Sequence, residues 1–417
     1  MRLIICTVLS LSALPAAPTF YKDVLPVLQH KCQGCHRPGE AAPMSFLTYE
    51  STRPWAAAIK QAVLAGKMPP WGADLSHGKF ANDPTLTDAE KKALTGWADA
   101  KAPAGRRQDA PAARAFVEGW NIGEPDLVLS VPKPYVVPAT GTIDYTRYIL
   151  PLNFKEDRWV SSAEVRPGNR AVVHHVIAYL RPPESSWLAG APVGEPILKV
   201  AKSDGGPRGQ LVGYAPGVPA RPGVEGRAML VKAGTDVVLE MHYTTNGKPA
   251  MDQTKVGIIF AKQPPKEVLN GFSAGNGRFV IPPGAAHHEV KSEYVFKRPV
   301  RLVNLTPHMH LRGRDFEYVA KYPTGEREVL LKVPHYDFNW QHTYTLAEPK
   351  VLPAGTVVEC IAHFDNSTNN PFNPDAKSEV RWGDQSWEEM MIGFGAYVLD
   401  APPVPAPAAK PPATGGE

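Results

Sequence analysis

Five short segments carry paired or clustered metal-binding side chains, and this ordered series constrains the chain more than any other feature. In chain order the segments are CQGCH at 32–36, HH at 174–175, EMHY at 240–243, PHMH at 307–310 and EEMM at 388–391. Thiolate, thioether and imidazole donors favour transition metals over magnesium or calcium. The series therefore predicts a protein that brings distant segments together around several metal centres.

The first segment has the attachment pattern of c-type haem. Cys32 and Cys35 are separated by two residues, and His36 follows directly. In such a motif the two thiols add to the haem vinyl groups and the histidine supplies one axial nitrogen. A zinc site or a thioredoxin-like motif is disfavoured, because the sequence has no second Cys pair and no flanking βαβ pattern. Of the four cysteines, Cys6 lies in the N-terminal apolar run, and we expect Cys360 to be a buried free thiol.

Residues 18–102 have a helical pattern and predict a small all-α cytochrome c-like domain. Thr87 and Glu90 form a predicted capping box at the start of its last helix. The haem needs a second axial ligand, for which Met68 is our first choice, because the two prolines after it hold the chain extended. Met44 is the alternative.

The chain from residue 126 to residue 400 has the texture of β-structure. Short apolar segments alternate with Gly/Pro turns, which predicts two all-β sandwich domains of jelly-roll type, at 126–270 and 271–400. A sequence repeat supports two related sandwiches: AGTDVVLEMHYTTN and AGTVVECIAHFDNS place His242 and His363 at the same offset from a glycine. Residues 103–125 are a predicted linker, and residues 401–417 a predicted disordered tail.

Strand geometry separates the two histidine pairs. His308 and His310 are two residues apart, so on a strand both rings project from one face, as a shared metal requires. His174 and His175 are adjacent and would point to opposite faces. Both can bind one ion only if the backbone bulges or one ring reaches around.

The ordered segments HHVIAYL, EMHY, TPHMHLRGRDFEY, LPAGTVVECIAHFDN and WEEMM resemble the copper type II monooxygenases that hydroxylate peptidylglycine or dopamine. This resemblance covers about residues 126–400. It implies one copper held by His174, His175 and His242, and a second copper held by His308, His310 and Met390. Thioether sulfur suits Cu(I), which agrees with a mixed His/Met set. Met391 is the adjacent alternative ligand, and His363 is a rival that we expect to be structural.

The resemblance further implies the activity: reduction of dioxygen and hydroxylation of a substrate C–H bond at the His/Met centre. The all-His centre would supply the second electron across a cleft between the sandwiches. The family's carboxylate anchors are replaced here by Thr306, Ile392 and Phe394, which favours an apolar or neutral small substrate. Glu240 also stands where the peptide enzyme has a glutamine. The doublet at His287 and His288 matches no family ligand.

The expected function is a copper monooxygenase that receives electrons through its c-type haem, with an ascorbate-like reductant or a redox protein as donor. The alternative is a non-catalytic haem and copper protein that only transfers electrons. The apolar N-terminus at 1–17 has the order of a secretory signal, which predicts a periplasmic or otherwise exported protein. A net charge of +4 with mixed signs predicts no nucleic-acid partner and no strong membrane interaction.

Overall fold

A computed structural model of the chain describes residues 17–198, 209–216, 220 and 222–400. Most of the predicted signal sequence, with Cys6, and the predicted tail at 401–417 lie outside these residues. The chain divides into two compact units, one of 1–70 and 84–115, the other of 71–83 and 116–417. Among the described residues, no helix is long and apolar enough to cross a membrane.

All regular elements described in the first unit are helical. Phe20, Leu28, Leu94 and Trp97 are almost fully buried in its core. Its elements are α1 (Leu25–Val27) between the π-helical turns Phe20–Val24 and Leu28–Cys32, α2 (Tyr49–Thr52), the 3-10 turn Arg53–Trp55, α3 (Ala56–Leu64), α4 (Asp88–Asp99) and the 3-10 turn Arg107–Asp109.

The predicted capping box begins the last long helix of this unit. The Thr87 hydroxyl accepts the Glu90 N–H at 3.2 Å, and the Glu90 carboxylate accepts the Thr87 N–H at 2.7 Å. Two N–H groups that no helical carbonyl can reach are thereby satisfied, which fixes the start of α4.

In the described residues, the second unit contains twenty strands. Those of its first half are β1 (Leu127–Ser130), β2 (Tyr135–Val137), β3 (Thr146–Pro151), β4 (Arg158–Arg166), β5 (Val173–Arg181), β6 (Gly209–Tyr214), β7 (Arg227–Val231), β8 (Asp236–Tyr243), β9 (Ala250–Asp252) and β10 (Lys255–Phe260). Those of its second half are β11 (Glu267–Gly275), β12 (Val280–Ile281), β13 (His288–Val295), β14 (Val300–His308), β15 (Gly313–Lys321), β16 (Arg327–Val333), β17 (Tyr344–Leu352), β18 (Val357–Phe364), β19 (Val380–Arg381) and β20 (Ile392–Asp400).

The two halves repeat one sandwich topology. Sheets of order β1-β10-β4-β7 and β3-β8-β5-β6 enclose the first core, and sheets of order β11-β20-β14-β17 and β13-β18-β15-β16 enclose the second. Each strand of the second half occupies the same position in its sheet as the first-half strand whose number is lower by ten, so that β11 corresponds to β1 and β20 to β10. A short parallel pairing of β7 with β11 joins one sheet of each half into a continuous eight-stranded sheet. These sheets agree with the predicted β-rich, sandwich-like fold, and the last strand of the first half ends at Phe260, before the first strand of the second half begins at Glu267.

Apolar side chains fill the interior of each sandwich at alternating strand positions. Leu239 and Met241 of β8 are fully buried in the first core, and Tyr318 of β15 and Cys360 of β18 are fully buried in the second. Cys360 is thus the buried thiol that the sequence predicts. Burial raises the pKa of its thiol far above the ordinary value.

Residues 71–83 belong to the β-unit, although the sequence assigns them to the helical domain. Phe80 is buried in the second core and forms a β-bridge with Leu346, and the Trp71 ring packs edge-on to Tyr344 at 4.8 Å. Burial of these large aromatic surfaces among the strands explains the difference from the predicted boundary.

Candidate metal centres

Strands β5 and β8 bring His174, His175 and His242 together. His175 pairs across the sheet with His242, and the register shifts by one residue between Val173 and His175. His174 is the extra residue of this bulge, which allows adjacent side chains to leave the regular alternation. The structure thus has the irregularity that two neighbouring histidines need in order to share one ion.

The donor atoms of these three histidines lie within 4.8 Å of one another. The two Nδ1 atoms of His174 and His175 are 3.1 Å apart, a separation that two ligands of one ion about 2 Å away can have. Nδ1 of His242 is buried and has no hydrogen-bond partner among the described residues. Burial lowers the pKa of His174 to about 4 and that of His242 to about 3, so all three rings are neutral donors at neutral pH.

His308 and His310 lie at the end of β14, His308 as its last residue and His310 just beyond it. Met309 between them is fully buried in the second core, so the two histidines project to the opposite side. Their ring centroids are 5.3 Å apart and the rings are nearly perpendicular. The predicted common face is therefore present, although the strand ends before His310.

Hydrogen bonds orient both rings for metal binding through Nε2. The Nδ1 atom of His308 is 2.7 Å from the Gln341 amide oxygen, and that of His310 is 3.4 Å from the Glu388 carbonyl oxygen. With these oxygens as acceptors, each Nδ1 carries the proton and each Nε2 keeps its lone pair. Burial lowers the pKa of His308 to about 4 and that of His310 well below its ordinary value.

A buried carboxylate ties this pair of histidines to the methionine segment. Glu389 accepts the backbone N–H groups of His310 at 2.8 Å and of Arg312, and it also receives the N–H of Met390. Burial raises the pKa of Glu389 to about 8. The carboxylate thereby fixes the backbone of Met390 relative to that of His310.

The two methionines have different environments. Met391 is fully buried in the second core, where the Ser292 hydroxyl donates to its sulfur at 3.3 Å. Met390 is half-buried and is absent from that core. Met390 is therefore the methionine of the pair whose thioether is not packed into the second core.

The two histidine sets approach each other closely, rather than across the cleft that the resemblance implies. Gln341 reaches both: its amide oxygen meets His308 and its amide nitrogen is 3.4 Å from Nδ1 of His175. The Phe338 ring lies 5.3 Å from the His174 ring and 5.9 Å from the His310 ring, measured between centroids. Both bridging side chains come from the loop at 334–343, between β16 and β17.

Tyr145, just before β3, is a second side chain that contacts both sets. Its hydroxyl is 3.2 Å from Nε2 of His175, and its ring stacks on His242 at 4.7 Å and lies 6.4 Å from the His310 ring. Burial raises the pKa of Tyr145 well above its ordinary value, so it remains a neutral phenol. Sequence reasoning missed Tyr145, Gln341 and Phe338, because single residues in loops form no spacing pattern.

The residues that replace the family's carboxylate anchors share one face with His308. Across the sheet His308 pairs with Ile392, and Thr306 pairs with Phe394. Gly393, which lies between Ile392 and Phe394 on β20, faces the core, where an added Cβ would collide with Cys360. Ile392 and Phe394 therefore present apolar surface beside the histidines, with the Phe394 ring 6.2 Å from that of His308.

Glu240 takes part in a partly buried ion cluster beside the histidines. The Arg147 guanidinium contacts the Glu240 carboxylate at 2.6 Å and the Asp384 carboxylate at 3.0 Å. Arg147 is 5% exposed, and its charge is balanced by both carboxylates. This cluster joins β3 and β8 of the first sandwich to the loop that precedes Met390.

The predicted haem motif begins at the end of the first helical run. Cys32 is the last residue of that run, and the N–H groups of Cys35 and His36 both donate to its carbonyl oxygen. Burial raises the pKa of the Cys32 thiol to about 12. The His36 ring stacks on Phe46 at 4.2 Å, and its buried Nδ1 has no hydrogen-bond partner in the described part of the chain.

The two candidates for the second axial position also differ. Met44 packs against the core of the helical unit, whereas Met68 is half-buried, outside that core, with its N–H bonded to the Ala62 carbonyl oxygen at 3.3 Å. The thiols of Cys32 and Cys35, the neutral imidazole of His36 and the Met68 thioether are chemically suited to a covalent haem.

No protein-family model and no curated protein matches this sequence. Among solved structures, the chain is similar to the VP2 subviral particle of infectious bursal disease virus, at 8% identity and a TM-score of 0.21, covering 69% of this chain and 74% of that chain. The T=1 particle derived from the same virus gives 9% identity and a TM-score of 0.20, over 69% of this chain and 72% of that chain. Similarities this weak carry no argument about function.

Proposed function

We propose that this protein is a copper-dependent monooxygenase that hydroxylates a C–H bond of a small substrate with dioxygen. The observation that carries the proposal is the meeting of two neutral histidine sets from β5, β8 and the end of β14, with Glu389 tying the Met390 backbone to that of His310. His174, His175 and His242 would hold one copper, and His308, His310 and Met390 the other. Copper bound there supplies dioxygen reduction and one-electron chemistry.

The contribution of the chain is to orient donors and to keep them unprotonated. Gln341 and the Glu388 carbonyl hold the Nδ1 protons of His308 and His310, so both Nε2 atoms remain available. Glu389 holds the backbones of His310 and Met390 in one frame. Partners of this kind, behind the ligands, orient them and strengthen metal binding.

The side chains around His308 favour an apolar or neutral substrate. Ile392 and Phe394 offer hydrocarbon surface on the same face of the sheet. The nearby cation, Arg147, is already paired with Glu240 and Asp384. A substrate carboxylate would therefore find no unpaired guanidinium in this cluster, which separates the proposed substrate class from carboxylate-bearing peptides.

We assign the helical unit to a c-type cytochrome with covalent attachment at Cys32 and Cys35 and axial ligands His36 and Met68. Its role would be to pass electrons from an ascorbate-like reductant or a redox protein to the copper centres. Such a haem protein is expected to be exported, in the periplasm or its equivalent.

The non-catalytic alternative has one observation in its favour. The two histidine sets are bridged by Gln341 and Tyr145, and close contact of this kind suits electron transfer as well as catalysis. We prefer the enzyme, because a pure electron carrier needs no His/Met centre beside an apolar sheet face.

The deciding experiment uses full-length protein with haem and copper loaded. Small apolar and neutral compounds are screened for substrate-dependent oxygen uptake, and products formed under ¹⁸O₂ are analysed by mass spectrometry. One labelled oxygen atom per product supports the proposal, and His308→Ala should abolish it. A protein that binds copper and haem but incorporates no label from any compound of this class would favour the electron carrier.

The proposed role of the haem has its own test. Pre-reduced protein is mixed with dioxygen and substrate, and the haem spectrum is followed with time. Reoxidation at the rate of turnover, slowed in His308→Ala, supports electron delivery through the haem. Haem that stays reduced through many turnovers with ascorbate contradicts it.

A further inference from the structure

The sandwich repeat gives His242 of the first half a structural counterpart in the second. Strand β8 lies between β3 and β5, and His242 projects from the face of this sheet that is turned away from the core. Its partner on β5 is His175, which follows the bulge described above. The all-His centre is thus defined by a position in the repeat as well as by residue types.

His363 occupies the same position in the second sandwich. Strand β18 lies between β13 and β15, and His363 pairs with Asp315 of β15 directly after a register shift between Gly313 and Asp315. The bulge and the cross-strand pair therefore recur, with Asp315 at the place of His175. The neighbours of His363 along β18, Ala362 and Phe364, are fully buried, so His363 projects away from the second core.

A third donor completes this cluster. His287, in the turn before β13, stacks its ring on that of His363 with centroids 3.9 Å apart. Its Nε2 is 3.7 Å from one Asp315 oxygen, while the other Asp315 oxygen is 2.6 Å from Nδ1 of His363. One ligand atom from each of the three residues lies within 4.8 Å of the other two.

We propose that His287, Asp315 and His363 form a third metal site, for a divalent first-row transition ion such as Zn²⁺. Two imidazoles and one carboxylate are a donor set that favours such ions over magnesium or calcium. The site uses none of the ligands of the proposed copper centres.

The geometry requires only a local adjustment. Ligands of a tetrahedral zinc ion at about 2 Å lie about 3.4 Å from one another, so no pair of donors has to approach by more than roughly 1.4 Å. His287 has a side-chain exposure of 54% and can turn out of its stack, whereas Asp315 and His363 are anchored on neighbouring strands. A bound ion would take the place of the direct contact between Asp315 and His363, and water would complete its coordination. Glu289, 3.7 Å from Nε2 of His363, is a further carboxylate at the rim.

A bound ion would fasten the turn before β13 to β15 and β18. Because the folded chain presents these donors together and the unfolded chain does not, zinc binding stabilises the fold. We therefore expect zinc to raise the melting temperature as well as to bind.

The test uses the full chain with haem and copper loaded, dialysed against a buffer with controlled free Zn²⁺. Zinc and copper per protein are measured by mass spectrometry for wild type, His287→Ala, Asp315→Asn and His363→Gln. His288→Ala is the matched control, since it changes the neighbouring histidine, which is outside the cluster. Wild type and the control should each bind one zinc ion. Each of the three variants should bind this zinc at least about tenfold more weakly, and the copper content should be the same in all five proteins.

The exposed position of His287 keeps the test independent of folding, because His287→Ala removes a donor without touching a strand. Equal zinc uptake and equal zinc-induced melting shifts in wild type and His287→Ala overturn the proposal. Zinc uptake that is matched by loss of copper also overturns it, because zinc would then occupy the copper centres. Failure of the proposed monooxygenase activity alone changes neither readout.

Discussion

The adjacent residues Met390 and Met391 offer a sharp experiment, because the structure assigns them opposite roles. Met390→Ala removes a half-buried thioether whose backbone is tied to that of His310 through Glu389. Met391→Ala removes a fully buried side chain from the second core. We expect the first change to remove one of two coppers, and the second to remove stability while both coppers remain.

The magnitudes follow from burial. Truncation of a fully buried methionine costs about 2–5 kcal/mol of unfolding free energy, because packing is lost and a cavity remains. Ser292 keeps a second acceptor, the Ala274 carbonyl oxygen at 2.9 Å, so its hydroxyl adds little to the cost. For the half-buried Met390 the expected cost is below about 1 kcal/mol.

Two assays separate the effects. Unfolding free energies are measured in urea on copper-free protein, and copper content and X-ray absorption on the reduced, copper-loaded protein. Copper–sulfur scattering should disappear in Met390→Ala and persist in Met391→Ala. If Met391→Ala loses the sulfur signal and Met390→Ala retains it, the assignment is off by one residue. Loss of one copper in His363→Ala, with both methionine variants intact, would instead favour His363 as the ligand.

Three further predictions concern the histidine sets. Gln341→Leu removes the acceptor for the His308 Nδ1 proton, so a copper titration should show affinity at that centre reduced about 10- to 100-fold, while the all-His centre stays filled. Equal loss of affinity at both centres would contradict this prediction. Tyr145→Phe keeps the ring and removes the hydroxyl on His175, which should cost about 1 kcal/mol in urea unfolding of copper-free protein; no measurable change means that the hydrogen bond contributes nothing. Burial lowers the pKa of His174 from 6.5 to about 4, so its contribution to the stability of copper-free protein is present above pH 6.5 and is lost as the pH falls toward 4. The expected loss of unfolding free energy is up to about 3 kcal/mol. A constant urea midpoint over that pH range would disprove this prediction.

The sequence predicted those parts of the centres that depend on strand periodicity. The alternation of side chains shows that adjacent His174 and His175 need a bulge in order to share an ion, and the structure has that bulge. The repeated offset of His242 and His363 indicated two related sandwiches, and the strand orders repeat in full. The first inference succeeds because the period of a strand is fixed by backbone geometry.

Features that depend on tertiary packing were beyond sequence reasoning. Gln341 and Tyr145 are single residues in irregular segments, and only the folded chain brings them to the histidines. Residues 71–83 lack a pattern of their own, and their place in the β-unit follows from two aromatic rings that find partners there. The distinction between Met390 and Met391 likewise depends on which of the two side chains packs in the second core.

The loop at 334–343, which contacts both histidine sets, affects electron transfer and substrate binding in different ways. Electron transfer is favoured when Gln341 and Phe338 bridge the sets, because the path then runs through packed side chains. The proposed hydroxylation would need space for dioxygen and for a substrate carbon beside His308 and His310. A substrate that binds at the sheet face with Ile392 and Phe394 would leave the bridge intact. A substrate that binds between the sets must displace Gln341 and break its contact with His308. To separate these routes, turnover and copper content of Gln341→Leu are measured at a copper concentration that restores full loading. On the first route the variant keeps its substrate affinity. On the second route its substrate affinity rises, because no hydrogen bond has to be broken.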